Sequence, residues 1–191
     1  MYPKPYLDRV LKTEGETSHY IVNSLGIISL FFVAMILAPL FHEFLHVMVF
    51  YILDYDCSLR INFDWGTGIY GEVNTISKLS LGEALIVLSA GVAGNLLVGG
   101  FLFIVCYYLR KQEKFIGLNF SLYIVLGFLS EPIFYFFDGR GDLVNILMLL
   151  DMSEFSFVLP PVGLILSILI LFYISEHATL ILNQRNSRWC R

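Results

Sequence analysis

Hydrophobic and polar positions alternate in long blocks along this chain. Ile21 to Phe41 carries no charge, and its apolar character continues through a His-Glu pair at 42–43 to Leu53. Ala84 to Leu109 and Phe115 to Ser130 are also uncharged, and the latter resumes at Ile133 to Phe137. Phe155 to Ser175 is the last such run. A helix needs about 20 apolar residues to cross a hydrocarbon core of about 30 Å. The pattern therefore predicts an all-α polytopic membrane protein with about four transmembrane helices. Leu143 to Leu150 is too short to cross and predicts a half-helix packed in the bundle. At about 1.5 Å per residue the first segment is longer than one crossing requires. It must tilt, protrude or break, with Pro39 the obvious kink.

Between 54 and 80 the period changes from helical to alternating. Cys57 to Phe63 alternates as a strand does, Asp64-Trp65-Gly66-Thr67-Gly68 is a turn, and Ile69 to Val73 is a return strand. This predicts a membrane-associated β-hairpin over about 57–73. Such a hairpin is marginal alone, so it must lean on the bundle or on lipid. The organisation expected is a polar N-terminal segment (1–20), a single membrane domain (21–182) and a polar tail (183–191).

Composition sharpens the membrane reading. Of 191 residues, 57% are hydrophobic and 15% charged, against about 45–50% and about 25% in soluble domains. Mean hydropathy is +0.73. Twelve Lys and Arg against sixteen Asp and Glu leave a net charge of −4 and no basic face, which excludes a nucleic-acid partner. Cys57, Cys106 and Cys190 have neither disulfide nor zinc-knuckle spacing. Met1 to Tyr20 has no apolar run and does not read as a secretory signal. With four crossings the termini share a side. That side holds Lys4, Arg9, Lys12, Arg110, Lys111, Lys114, Arg185, Arg188 and Arg191, while Arg60, Lys78 and Arg140 lie opposite. The imbalance places both termini in the cytoplasm.

Against this background a few polar residues stand out. Ionisable groups inside a membrane segment are costly and point to function. His42-Glu43-Phe44-Leu45-His46 is an H-E-x-x-H in an apolar helix. Residues four apart share a helical face, so both imidazoles reach one metal, Zn²⁺ being the best match. Glu43 is then placed to take a proton from water at that metal. A catalytic zinc usually has three protein ligands. His19 and His177 flank the first and last spans and read as interfacial. The better source is Asp138-Gly139-Arg140-Gly141-Asp142, which follows the third span, itself parallel to the first, and so shares a membrane side with the histidines. Either Asp138 or Asp142 could serve. Glu131 faces the bundle interior as a ligand, a partner for Arg140 or a polar plug beside Pro132, and Glu83 sits at a span entrance. In Ala90-Gly91-Val92-Ala93-Gly94-Asn95, small residues permit close helix approach, and Asn95 is a buried amide that needs partners.

Together these residues resemble the site-2 protease group of intramembrane zinc metalloproteases, peptidase family M50. His42-Glu43-x-x-His46 is similar to the family's zinc helix. Ala90-Gly91-Val92-Ala93-Gly94-Asn95 resembles its A-G-P-x-x-N helix, with Val92 where Pro is common. The Asp138–Asp142 stretch resembles its later Asp-Gly motif, which supplies the third ligand. Asp138-Gly139 matches the start of the family's L-D-G-G-R pattern. Asp142, with Asn145 after it, matches a G-D-x-x-N form. The likeness covers about residues 25 to 150, and no PDZ domain is expected. It implies one Zn²⁺ per chain on His42, His46 and an Asp, Glu43 as general base, and Asn95 at the oxyanion or the substrate strand. The substrate would be a transmembrane protein segment, and the protein a multi-pass component of a prokaryotic cell membrane. The resemblance implies a zinc site towards the cytoplasm, whereas the charge count puts it on the opposite side. Two rivals make different demands. A non-proteolytic transporter or scaffold needs no zinc and no Glu43. A di-iron bundle enzyme needs two E-x-x-H motifs, and only Glu43-x-x-His46 is present.

Overall fold

The computed structural model describes residues 21, 23–64, 68–112, 115–137 and 141–173. The N-terminal segment, the C-terminal tail, His19, His177, Asp138 and Arg140 lie outside the described residues. Four helices among the described residues are long and apolar enough to cross a membrane. They are α1 (Asn23–Ile52), α2 (Leu81–Lys111), α3 (Phe115–Phe137) and α5 (Ser153–Tyr173). Between the last two lies the short α4 (Asp142–Leu149), and between the first two an antiparallel hairpin of β1 (Ser58–Asp64) and β2 (Gly68–Asn74). The hairpin and the half-helix fall within a residue of their expected places.

α1 does not break at Pro39. The chain instead widens into a π-helical turn over Val33–Leu37, and the Ala38 N–H bonds back to the Val33 carbonyl before the α-helix resumes. A proline ring collides with the preceding turn of an ordinary α-helix. One wider turn just ahead of it relieves that collision without ending the helix, as π-bulges do. The bulge packs on α3 at Gly127, where a Cβ would lie 2.6 Å from that of Val33. Val33 and Ala38 are buried there with Phe128.

Apolar burial alone contributes little between membrane helices, because lipid tails are as apolar as leucine. Close packing and polar contacts hold them instead. α2 and α3 interlock through Cys106, Leu118, Leu122 and Val125, with Tyr173 of α5 against Phe103 at a ring distance of 4.2 Å. Gly163 lets α5 approach Phe136 and Phe137. The rest of α5 is largely exposed, as a lipid-facing helix would be.

The hairpin docks on α1 through β2. A side chain at Gly71 would run into Glu43. The expected lean of the hairpin therefore falls on the bundle, directly over the H-E-x-x-H helix. Its exit is pinned by a capping box: Ser80 and Glu83 exchange hydrogen bonds, Ser80 N donating to Glu83 Oε2 at 2.8 Å and Glu83 N to Ser80 Oγ at 3.4 Å. The Tyr55 hydroxyl, just past α1, donates to the same carboxylate at 3.1 Å. Glu83 thus occupies the span entrance as a cap.

Candidate metal centre

His42 and His46 lie one turn apart on the buried face of α1. His42 fits only because α2 has no side chain opposite it, since a Cβ at Gly91 would lie 2.4 Å from the imidazole ring. The small-residue motif in α2 therefore makes room for the histidine as well as for helix packing. Gly94 does the same for Leu45 one turn on.

α4 brings the third group. Asp142 opens that helix, and its Oδ2 lies 2.8 Å from His42 Nε2 and 3.1 Å from His46 Nε2. The two Nε2 atoms are 2.9 Å apart. Gly141, immediately before, has φ of +79°, and a Cβ there would meet the Tyr135 ring. Glycine is thus required twice at that position, for its backbone angle and for its absent side chain. Asn145 is exposed, and its contact with the turn runs through its backbone N–H to the Gly141 carbonyl at 3.0 Å.

The backs of the imidazoles are fixed as well. His46 Nδ1 is 2.7 Å from the Val87 carbonyl. A carbonyl only accepts, so Nδ1 carries the hydrogen and Nε2 keeps its lone pair. His42 Nδ1 lies 2.8 Å from Glu131 Oε1, an ion-pair distance without the alignment of a hydrogen bond. Glu131 is held in turn by Asn95 Nδ2, which also donates to the Ala38 carbonyl at 3.1 Å. His42, His46 and Asn95 are all buried.

Two imidazole nitrogens and a carboxylate oxygen therefore converge within about 3 Å of one another, with both histidines buried. Three electron-rich atoms held that close need a positive charge between them. Burial would raise the Asp142 carboxyl, but its contacts with the two histidines outweigh burial and hold it below the ordinary carboxylate value. Among the described residues this is the one group that could hold a metal ion, its ligand atoms all within 4.8 Å of one another. The donor set fits a cation, and the hydrogen-bonded back of His46 and the carboxylate behind His42 are what metal-ligating imidazoles ordinarily show.

Several expectations change in detail. Asp142 is brought into the group. Glu131 stands behind His42 rather than in the ligand set. Asn95 has both amide hydrogens engaged, by Glu131 and by Ala38, so in this arrangement it orients the carboxylate and has no free donor for an oxyanion. Glu43 lies next to His42 along α1, half-buried under β2. Tyr135 is a member of the site that the motifs do not mark. Its ring stacks on His42 at 5.3 Å and 18°, and its hydroxyl lies 3.4 Å from His42 Nε2. A signal for it does exist in the sequence: Tyr135 follows Glu131 by four residues and so shares its helical face.

Comparison with protein-family models, with curated proteins and with solved structures gives no match. The geometry of the site stands alone as the guide to function.

Proposed function

We propose that this chain is an intramembrane zinc peptidase that hydrolyses peptide bonds in or near transmembrane segments of protein substrates. The convergence of His42, His46 and Asp142 beside Glu43, inside an apolar bundle, carries this reading. Two imidazoles and one carboxylate match the catalytic zinc pattern of three protein ligands and one open position. Zinc, when bound, supplies Lewis acidity to a carbonyl and to water.

The protein's own residues do the rest. The Glu43 carboxylate takes a proton from the attacking water as its oxygen adds to the scissile carbonyl carbon. It then gives that proton to the leaving nitrogen as the C–N bond breaks. The Val87 carbonyl holds His46 in the ligating tautomer, Glu131 sets a negative charge behind His42, and Asn95 holds Glu131. A helical substrate hides its carbonyls in its own hydrogen bonds and must unwind to be cut. The hairpin over Glu43 offers a strand edge on which an unwound segment can lie. We place the protein in the cell membrane of a prokaryote.

The test compares wild type with Glu43→Gln. Metal analysis of detergent-purified protein gives the zinc content. Mapping of new peptide termini in membranes of expressing cells detects cleavage whatever the substrate. Zinc is expected in both proteins, with termini inside transmembrane segments reduced about 10²–10⁴-fold in Glu43→Gln. Absence of zinc from wild type, or identical termini in both, would support the transporter or scaffold instead.

A further inference from the structure

The peptidase reading leaves one chemical requirement unmet by the residues so far assigned. Addition to a carbonyl puts negative charge on its oxygen, and such sites supply a hydrogen-bond donor aimed at it. Glu43, Glu131 and Asp142 are carboxylates and accept. Both Nε2 atoms keep lone pairs for a ligated cation. The Asn95 amide hydrogens are already engaged.

Resting on that reading, we propose that the Tyr135 hydroxyl is a catalytic hydrogen-bond donor to the carbonyl oxygen of the bound substrate. It lies beside the donor group, 3.4 Å from His42 Nε2. That separation is long for an O–H contact, and the Glu131 carboxylate one turn back is the neighbour with which a substrate carbonyl would compete for its hydrogen. A phenol with an ordinary pKa of about 10 keeps its hydrogen at neutral pH and donates it without being ionised. Tyr135 is half-buried.

Its placement is built into three elements. α3 carries the ring one turn beyond Glu131, and α1 supplies the His42 face on which it stacks at 5.3 Å. The loop into α4 gives way through Gly141, whose positive φ and missing Cβ admit the ring. The same glycine that sets the direction of Asp142 therefore also seats the donor. A phenylalanine would fill this space equally well, so the hydroxyl is the part that packing does not explain.

The experiment uses full-length protein in detergent, loaded with Co²⁺ so that the site absorbs visibly, and titrated with acetohydroxamate. This probe presents a carbonyl oxygen and an ionised N–O oxygen without being cleaved. Wild type and Tyr135→Phe are expected to bind equal cobalt with equal affinity. Tyr135→Phe is expected to bind acetohydroxamate about tenfold to a hundredfold more weakly, the range for a hydrogen bond to a charged acceptor. Equal acetohydroxamate affinity in the two proteins would overturn the proposal. Loss of cobalt from Tyr135→Phe would also overturn it, because the hydroxyl would then be a ligand. A wild type that takes up no cobalt would overturn the peptidase reading itself, and this inference with it.

Discussion

α2 and α3 meet at two joints made of different material. At one, Asn95 of α2 bonds Glu131 of α3, and His42 closes the group. At the other, Cys106 of α2 packs among Leu118, Leu122 and Val125 of α3. Asn95 and Cys106 are both fully buried, and eleven residues separate them, roughly 16 Å along the helix. The apolar joint can be exchanged for lipid at little cost beyond its packing, since leucine and acyl chains are alike. The polar joint cannot, because an amide or carboxylate facing hydrocarbon loses its partners outright. One joint therefore holds helices by fit alone. The other holds them by obligation, and in doing so sets a charge behind one of the two imidazoles, His42.

The two joints part most sharply where the polar one ends in ligands. Asp142→Ala is expected to reduce bound metal from about one ion per chain to near zero, because three protein ligands fall to two. Mass-spectrometric metal analysis reads this directly, and Asp138→Ala is expected to retain its metal. Gly91→Ala replaces no ligand, yet its methyl would press on the His42 ring at 2.4 Å. Metal affinity is expected to fall about a hundredfold, the upper end for changes behind a ligand. Unchanged affinity would mean that α2 shifts away easily and that the small-residue stripe is packing alone. Glu131→Gln is milder, since it removes the charge beside His42 Nδ1 but keeps a side chain of the same size there. About a tenfold loss is expected, measured by competition with a chelator of known affinity.

Much of this layout is legible from residue types. Long uncharged runs mark the spans, alternation marks the hairpin, and His42, Glu43 and His46 stand out because membrane segments rarely carry such groups. What stays hidden depends on contacts between distant elements. The motif spacing favours Asp142 over Asp138 only slightly, and the turn at Gly141 is what brings Asp142 onto the histidines. Glu131 and Asn95 are recognisably buried, but their bond to each other cannot be read from either helix alone. Pro39 announces a distortion without saying which. Whether a helix breaks or widens depends on what packs beside it, here Gly127 of α3. Tyr135 looks like one more aromatic in an aromatic-rich chain until its stacking partner is known.

The apolar joint gives the smallest effect on the site and the cleanest control. Leu122 is buried within the third span, on the cluster around Cys106. In a water-soluble core, Leu→Ala costs about 2–5 kcal/mol, part from transfer out of water and part from the cavity left behind. In a membrane the transfer part largely vanishes, because the unfolded helix is already in lipid. Leu122→Ala is therefore expected to cost about 2 kcal/mol, the low end of that range, from lost packing. Unfolding by increasing SDS in mixed micelles reads this, and metal affinity should not move. If metal affinity fell together with stability, the two joints would be one mechanical unit. The polar cluster would then depend on close packing roughly 16 Å away, and the division between fit and obligation would fail.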